Sequence, residues 1–240
     1  MAGIPRKAVI LMVGAFAKAV TTLLNNASVR NADTLLRLVR SRPPGVPLIT
    51  VSNHMSTLDD PLLWGFKGFP ITNSKLARWV LAAEDICFRN SLYSYFFRQA
   101  CREQLHTFPE GKVNQEIAPI RRLKWGTASL IVRAPVTPIV LPIVHRGFQE
   151  VMPENYRSGR RPRFPLRNKN IDIIVGEPIE FDIAKLSRTA TSMSHSLSFP
   201  AFGWPKLTRY ELDEAAQKCL YMTISDQIRT AMQVLLSQTR

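Results

Sequence analysis

Two short strand-forming runs each break off at a turn that carries polar side chains, and this repeated pattern constrains the chain most. The first, Pro47-Leu48-Ile49-Thr50-Val51, is rich in β-branched residues, follows the break at Pro43-Pro44-Gly45 and ends at Asn53-His54. Asp60 followed by Pro61 suits an N-cap and first helical position, so a helix through Leu62, Leu63, Trp64 and Phe66 is expected next. The second run, Leu105 to Phe108, enters Pro109-Glu110-Gly111. Further strands are predicted over Val136 to Val144 and over Ile171 to Val175, with helices over Trp79 to Phe97 and Trp125 to Arg133. Strands alternating with helices predict an α/β fold, a partly parallel mixed sheet with helices packed on it. Ligands gather outside the carboxyl ends of strands in such sheets, which is where both polar turns would lie.

Composition allows one full core. The chain has 240 residues, 45% of them hydrophobic and 21% charged, which is the usage of a folded protein and excludes a disordered one. The expected organisation is a membrane-associating segment over residues 1–42 and one domain over 43–240, with a flexible Ser/Thr-rich loop near 186–206 that carries Phe199, Phe202 and Trp204. Thr208 and Glu211 form a capping-box pattern, and Leu212, Ala216, Leu220, Ile224, Ile228, Met232 and Leu235 follow helical spacing. Cys87, Cys101 and Cys219 are too scattered for a disulfide framework, and no internal repeat is present.

A net charge of +14 directs the chain to polyanions, of which nucleic acid and anionic lipid are the common surfaces. No nucleic-acid module is recognisable, and aromatic residues are not interleaved with the basic run Arg157, Arg160, Arg161, Arg163, Arg167 and Lys169. The stretch Ala8 to Leu24 is largely apolar, is preceded by Arg6 and Lys7, and is interrupted by Lys18. A spanning helix needs about 20 predominantly apolar residues, so a helix lying in the membrane interface is expected over one that crosses. Ala15-Phe16-Ala17 imitates a signal-cleavage site, and an acid-poor transit segment or a buried helix are the other readings.

The residues suited to chemistry sit on the two turns. His54 and Asp59, five residues apart on a tight loop, can meet side chain to side chain. A carboxylate on one imidazole nitrogen fixes the tautomer and leaves the other nitrogen able to take a proton, which makes a general base. The same spacing also fits a structural histidine beside a helix-capping aspartate. In Phe108-Pro109-Glu110-Gly111-Lys112 the glycine allows a tight turn that exposes backbone N–H groups, and Lys112 with Arg121, Arg122 and Lys124 could hold a phosphate. A solvated turn with a charged face is the plain alternative. His106 and His145, near strand ends, are expected to be structural. The scattered histidines predict no metal site, no cofactor is expected, and no nucleophile elbow is present.

Taken in order, His54-x4-Asp59, Phe108 to Lys112, Leu123-Lys124-Trp125-Gly126 and Leu141-Pro142-Ile143 resemble the sequence blocks of the glycerolipid acyltransferases. The longer strings from Pro47 to His54, from Asp59 to Gly65 and from Ala82 to Phe88 are similar to the tafazzin branch, and the likeness covers most of residues 45 to 180. The resemblance implies a glycerol-3-phosphate acyltransferase-like fold and a membrane-associated phospholipid–lysophospholipid transacylase. It implies catalytic His54 and Asp59, headgroup binding by Glu110 and Gly111, and action without acyl-CoA on cardiolipin precursors in a mitochondrial membrane. Lys112 and Lys124 are the expected cationic substrate contacts, and phospholipids, lysophospholipids and an anionic membrane surface are the expected partners.

One departure stands out. Family members carry an Arg-Gly phosphate-gripping block between the two motifs, whereas here only Arg98 to Leu105 separate Phe97 from His106. Arg102 lies in that gap without an Arg-Gly turn, and loss of an interior strand would leave its neighbours with unpaired backbone groups. A membrane-binding family member without turnover is therefore the alternative expectation.

Overall fold

A computed structural model describes residues 6–73, 79–81, 104–115, 119–156, 159–197 and 199–239. Within them six strands form one mixed sheet in the order β1-β6-β5-β2-β4-β3. These are β1 (Asn26–Arg30), β2 (Leu48–Ser52), β3 (Trp79–Leu81), β4 (Gln104–Thr107), β5 (Ile139–Arg146) and β6 (Asn170–Val175). All neighbouring pairs are parallel except β5 with β6.

The period-two pattern of the central strands explains why both faces are covered. Ile139, Leu141 and Ile143 of β5 pack on one face with Leu48, Ile171 and Ile173, beneath the helices α1 (Arg6–Lys18), α2 (Ala32–Ser41), α3 (Asp59–Leu63) and α5 (Phe148–Val151). Val140 and Val144 point the other way, with Ile49, Val51 and Ile174, under α4 (Gly126–Arg133), α6 (Ile183–Ser194) and α7 (Glu214–Leu236). The sheet thus lies between two helical layers, as the alternation of elements predicts.

Several expectations change. The strand expected from Val136 begins only at Ile139, after Pro138. Trp79–Leu81, expected at the start of a helix, is an edge strand paired with β4, while 82–97 lie outside the described residues. Asp60 is not the N-cap: α3 starts at Asp59, with Leu58 in the cap position. Most of the gap between Phe97 and His106, Arg102 included, lies outside the described residues. Its last two residues belong to β4, which is hydrogen-bonded to β2 on one side and β3 on the other.

Residues 186–206 are not one flexible loop, because α6 continues to Ser194. The irregular stretch after it is clamped by the start of α7. Glu214 accepts from the backbone N–H groups of Phe202, Gly203 and Trp204, and the buried Lys218 ammonium donates to Glu214 and to the Pro200 carbonyl while lying 4.3 Å from the Phe202 ring centre. The bond with Lys218 pulls the Glu214 carboxyl down to about 2. The helix itself is capped by Asp213, whose side chain accepts from Ala216 N–H, and not by Thr208; Glu211 instead takes a left-handed φ of 53°.

At the other end of the chain, α1 runs through a wider π-type turn at Ala19–Leu24 into β1, which pairs with β6. No described helix is long and apolar enough to cross a membrane. α1 rests on the segment after α3 almost backbone to backbone: a Cβ added at Gly65 would stand 2.4 Å from the Ala17 carbonyl oxygen.

Candidate active site

β2 carries the chain to the carboxyl edge of the sheet, where its last paired residue is Ser52, opposite Ile143. A side chain then continues the ladder. Asn53 Oδ1 accepts from the backbone N–H of His145 at 2.9 Å, and its Nδ2 donates to the His145 carbonyl, also at 2.9 Å. The amide stands in for a peptide group, so the Asn53 backbone leaves the sheet without orphaning β5. The buried His145 ring closes the clasp, with Nε2 2.9 Å from the Asn53 carbonyl oxygen. A carbonyl can only accept, which assigns the proton to Nε2. Burial holds the ring below its ordinary pKa, against the opposing pull of the Asp59 carboxylate and the Asn53 carbonyl.

The loop that follows winds around one oxygen. Asp59 Oδ2 accepts from the backbone N–H groups of Met55 at 2.6 Å and Ser56 at 2.8 Å, and lies 2.9 Å from His54 Nδ1. The Asp59 side chain has no solvent exposure, whereas that of His54 is 20% exposed. Donation from Nδ1–H to this carboxylate leaves His54 Nε2 with its lone pair. The His54 ring stacks on Phe108, with centroids 4.2 Å apart and planes inclined by 22°. Phe108 meets His106 edge to face at 4.6 Å, and His106 meets Trp64 at 5.0 Å. His106 is itself buried against the hydroxyls of Thr50 and Ser52.

The second turn docks on the first. Glu110 Oε1 accepts from the backbone N–H of His54 at 3.2 Å, and the Glu110 carboxyl also accepts from the backbone of Arg121. Burial raises its pKa above the usual carboxylate value, and these two backbone donors oppose that rise. Gly111 donates to the Phe108 carbonyl at 3.0 Å with a φ of 71°, a left-handed value that favours glycine, and a Cβ there would lie 2.7 Å from Lys124 Cδ. Lys124 N–H donates to the Pro109 carbonyl at 2.8 Å. His54, Asp59, Glu110, Gly111 and Lys124 therefore share one site, and Lys112 is exposed on the same turn.

Four residues support the site; of these the sequence predicts a structural role only for His145, and the roles of the other three escaped the sequence reading. Asn53 and His145 form the clasp, Asn114 N–H donates to the His54 carbonyl at 2.7 Å, and Gln115 Nε2 bridges the carbonyls of Met55 and Met152 at 3.0 and 3.1 Å. His145 gave a signal as a histidine near a strand end and Asn53 as a polar residue between a strand and a histidine, whereas Asn114 and Gln115 gave none. The arrangement can accept a proton at His54 Nε2 beside a turn of backbone donors and cations.

No protein-family model matches the chain. It is 56% identical to an N-acylphosphatidylethanolamine synthase of Arabidopsis thaliana, in a match that covers 98% of this chain and 93% of that protein. It is 37% identical to a tafazzin of Drosophila melanogaster over 72% of this chain, which spans about half (51%) of that protein, and 31% identical to a taffazin of Dictyostelium discoideum over 73% of this chain and 70% of that protein. The chain belongs to the tafazzin family of acyltransferases. As a tafazzin-family protein it is a phospholipid acyltransferase or transacylase. The family resemblance drawn from the His54-x4-Asp59 and Phe108–Lys112 motifs therefore agrees with one relative matched along nearly the whole chain and with tafazzins matched along nearly three quarters of it.

Proposed function

We propose that the chain transfers acyl groups between phospholipids at the surface of an anionic membrane, with His54 as general base and Asp59 as the group that orients it. His54 Nε2 takes the proton of the free hydroxyl of a lysophospholipid as that oxygen attacks the acyl carbonyl of the donor. A new ester C–O bond forms, the donor's ester C–O bond breaks, and the departing oxygen recovers the proton from the imidazolium. Asp59 stays ionised and holds Nδ1–H throughout. Glu110 and Gly111 shape the headgroup turn, and Lys112 and Lys124 attract its phosphate. The observation that carries this reading is the 2.9 Å contact between His54 Nδ1 and an Asp59 oxygen already fixed by two backbone donors. Cardiolipin precursors as substrates and a mitochondrial membrane as the location follow from the family resemblance.

A second acceptor is favoured by the Arabidopsis relative, named an N-acylphosphatidylethanolamine synthase. There the nucleophile would be the primary amine of phosphatidylethanolamine, and His54 would remove the proton of the attacking nitrogen in the same position. The deciding experiment offers purified protein a labelled diacyl phospholipid with a lysophospholipid and with phosphatidylethanolamine as competing acceptors. Label in an ester product supports the first reading and label in an amide the second. His54→Ala should lower either rate by about 10² to 10⁴, and full activity in that variant removes His54 from the mechanism.

A further inference from the structure

α1 and the π-type turn after it are packed inside out. Their buried positions are small or short, Gly14, Ala17, Val20 and Thr21, and these face the α3 segment, where Gly65 admits the Ala17 carbonyl. The large apolar side chains point outward: Leu11 is 56% exposed, Met12 55%, Phe16 42% and Leu23 80%. A helix whose outer side met only water would reverse this pattern.

The end of this surface is joined to the basic run. Leu24 accepts from Asn168 N–H at 2.8 Å, and Asn25 donates from Nδ2 to the Val20 carbonyl at 2.9 Å and the Leu166 carbonyl at 3.2 Å. Asn25 Oδ1 accepts from Lys169 N–H at 2.9 Å. Two segments more than a hundred residues apart in sequence thus become one surface, with Asn25 at the seam. On the basic side Arg160, Arg163 and Arg167 are exposed, and Phe164 stands 79% exposed among them.

We infer that this joined surface is the membrane-docking site, and that its occupant is the interface of an anionic bilayer. The inference rests on the membrane-surface reading above and gives it an address. Leu11, Met12, Phe16, Leu23 and Phe164 enter the boundary between headgroups and acyl chains, and the arginines beside Phe164 meet lipid phosphates. Asn25 holds the two halves in register so that both engage at once.

Sedimentation with vesicles tests this, using pure phosphatidylcholine and an equal mixture of phosphatidylcholine and phosphatidylglycerol. The double variant Leu23→Glu/Phe164→Ser changes only highly exposed side chains and should weaken binding to both compositions by at least about tenfold. Arg163→Gln/Arg167→Gln should weaken binding by about tenfold or more on the anionic vesicles alone. Asn25→Ala, checked for folding by circular dichroism, should weaken anionic-vesicle binding as much as loss of one half does. Unchanged binding in both double variants overturns the proposal. So does binding to duplex DNA that falls in the arginine variant and is untouched by Leu23→Glu/Phe164→Ser, which would mark a nucleic-acid surface. Sedimentation needs no turnover, so a wild-type protein that binds vesicles without transferring acyl groups would remove the enzymatic reading and leave the docking site in place.

Discussion

The Asn53 side-chain amide and the His145 backbone form a reciprocal pair that extends the β2–β5 ladder past its last peptide pairing. The pairing frees the Asn53 main chain to turn, and the next residue is His54. Position 53 therefore governs where the imidazole stands.

Asn53→Leu should leave a buried N–H and a buried carbonyl of His145 without partners. The expected loss is about 2–4 kcal/mol of stability, read by urea unfolding. Well below the unfolding transition the folded variant should still show a lower kcat, because His54 loses its anchor. An unchanged kcat would separate the clasp from the placement of His54.

His145 gives a pH signature. Its folded pKa lies below the ordinary 6.5, so the unfolded chain binds the proton more readily. That contribution to stability is complete above pH 6.5 and is lost as pH falls from there toward the lower folded value. His145→Gln places an amide N–H where Nε2–H was and does not titrate. Denaturation midpoints measured from pH 7.5 downward should therefore fall less in the variant than in the parent, and identical slopes would refute the assignment.

Glu110 behaves in the opposite sense. Burial raises its folded pKa, so ionisation above its unfolded value of 4.5 costs stability as pH rises. Glu110→Gln keeps an oxygen that can accept from His54 N–H and Arg121 N–H. Its melting temperature at neutral pH should equal or exceed that of the parent, while acyl transfer should fall because the charge at the substrate turn is gone. A melting temperature well below the parent's would show that the carboxylate stabilises the turn.

Gly65→Ala forces a methyl group against the Ala17 carbonyl. An overpacking cost of about 1–3 kcal/mol is expected, together with displacement of α1 from the segment after α3. Thermal unfolding gives the cost, and faster amide exchange along α1 would report the displacement. A neutral result would mean that the contact can relax.

The centre of the fold was readable and its edges were not. β2, β4 and β6 declare themselves through β-branched or apolar runs ended by turn residues. β1 hides because Asn26-Ala27-Ser28-Val29-Arg30 has a single β-branched residue and is half exposed at the sheet edge. Trp79–Leu81 is too short for a period to decide. The contact between His54 and Asp59 could be foreseen because both groups belong to one short loop. The partnership of Asn53 with His145 spans 92 positions and depends on which strands become neighbours, which no local pattern announces.

The convergence of three N–H groups on Asp59 Oδ2 makes the length of this loop a matter of geometry. Thr57, at its exposed crest, can change identity, but an inserted or deleted residue would carry the carboxylate away from the amides of Met55 and Ser56. Redesign of this enzyme for other lipids therefore has latitude in chemistry at the crest and none in residue count.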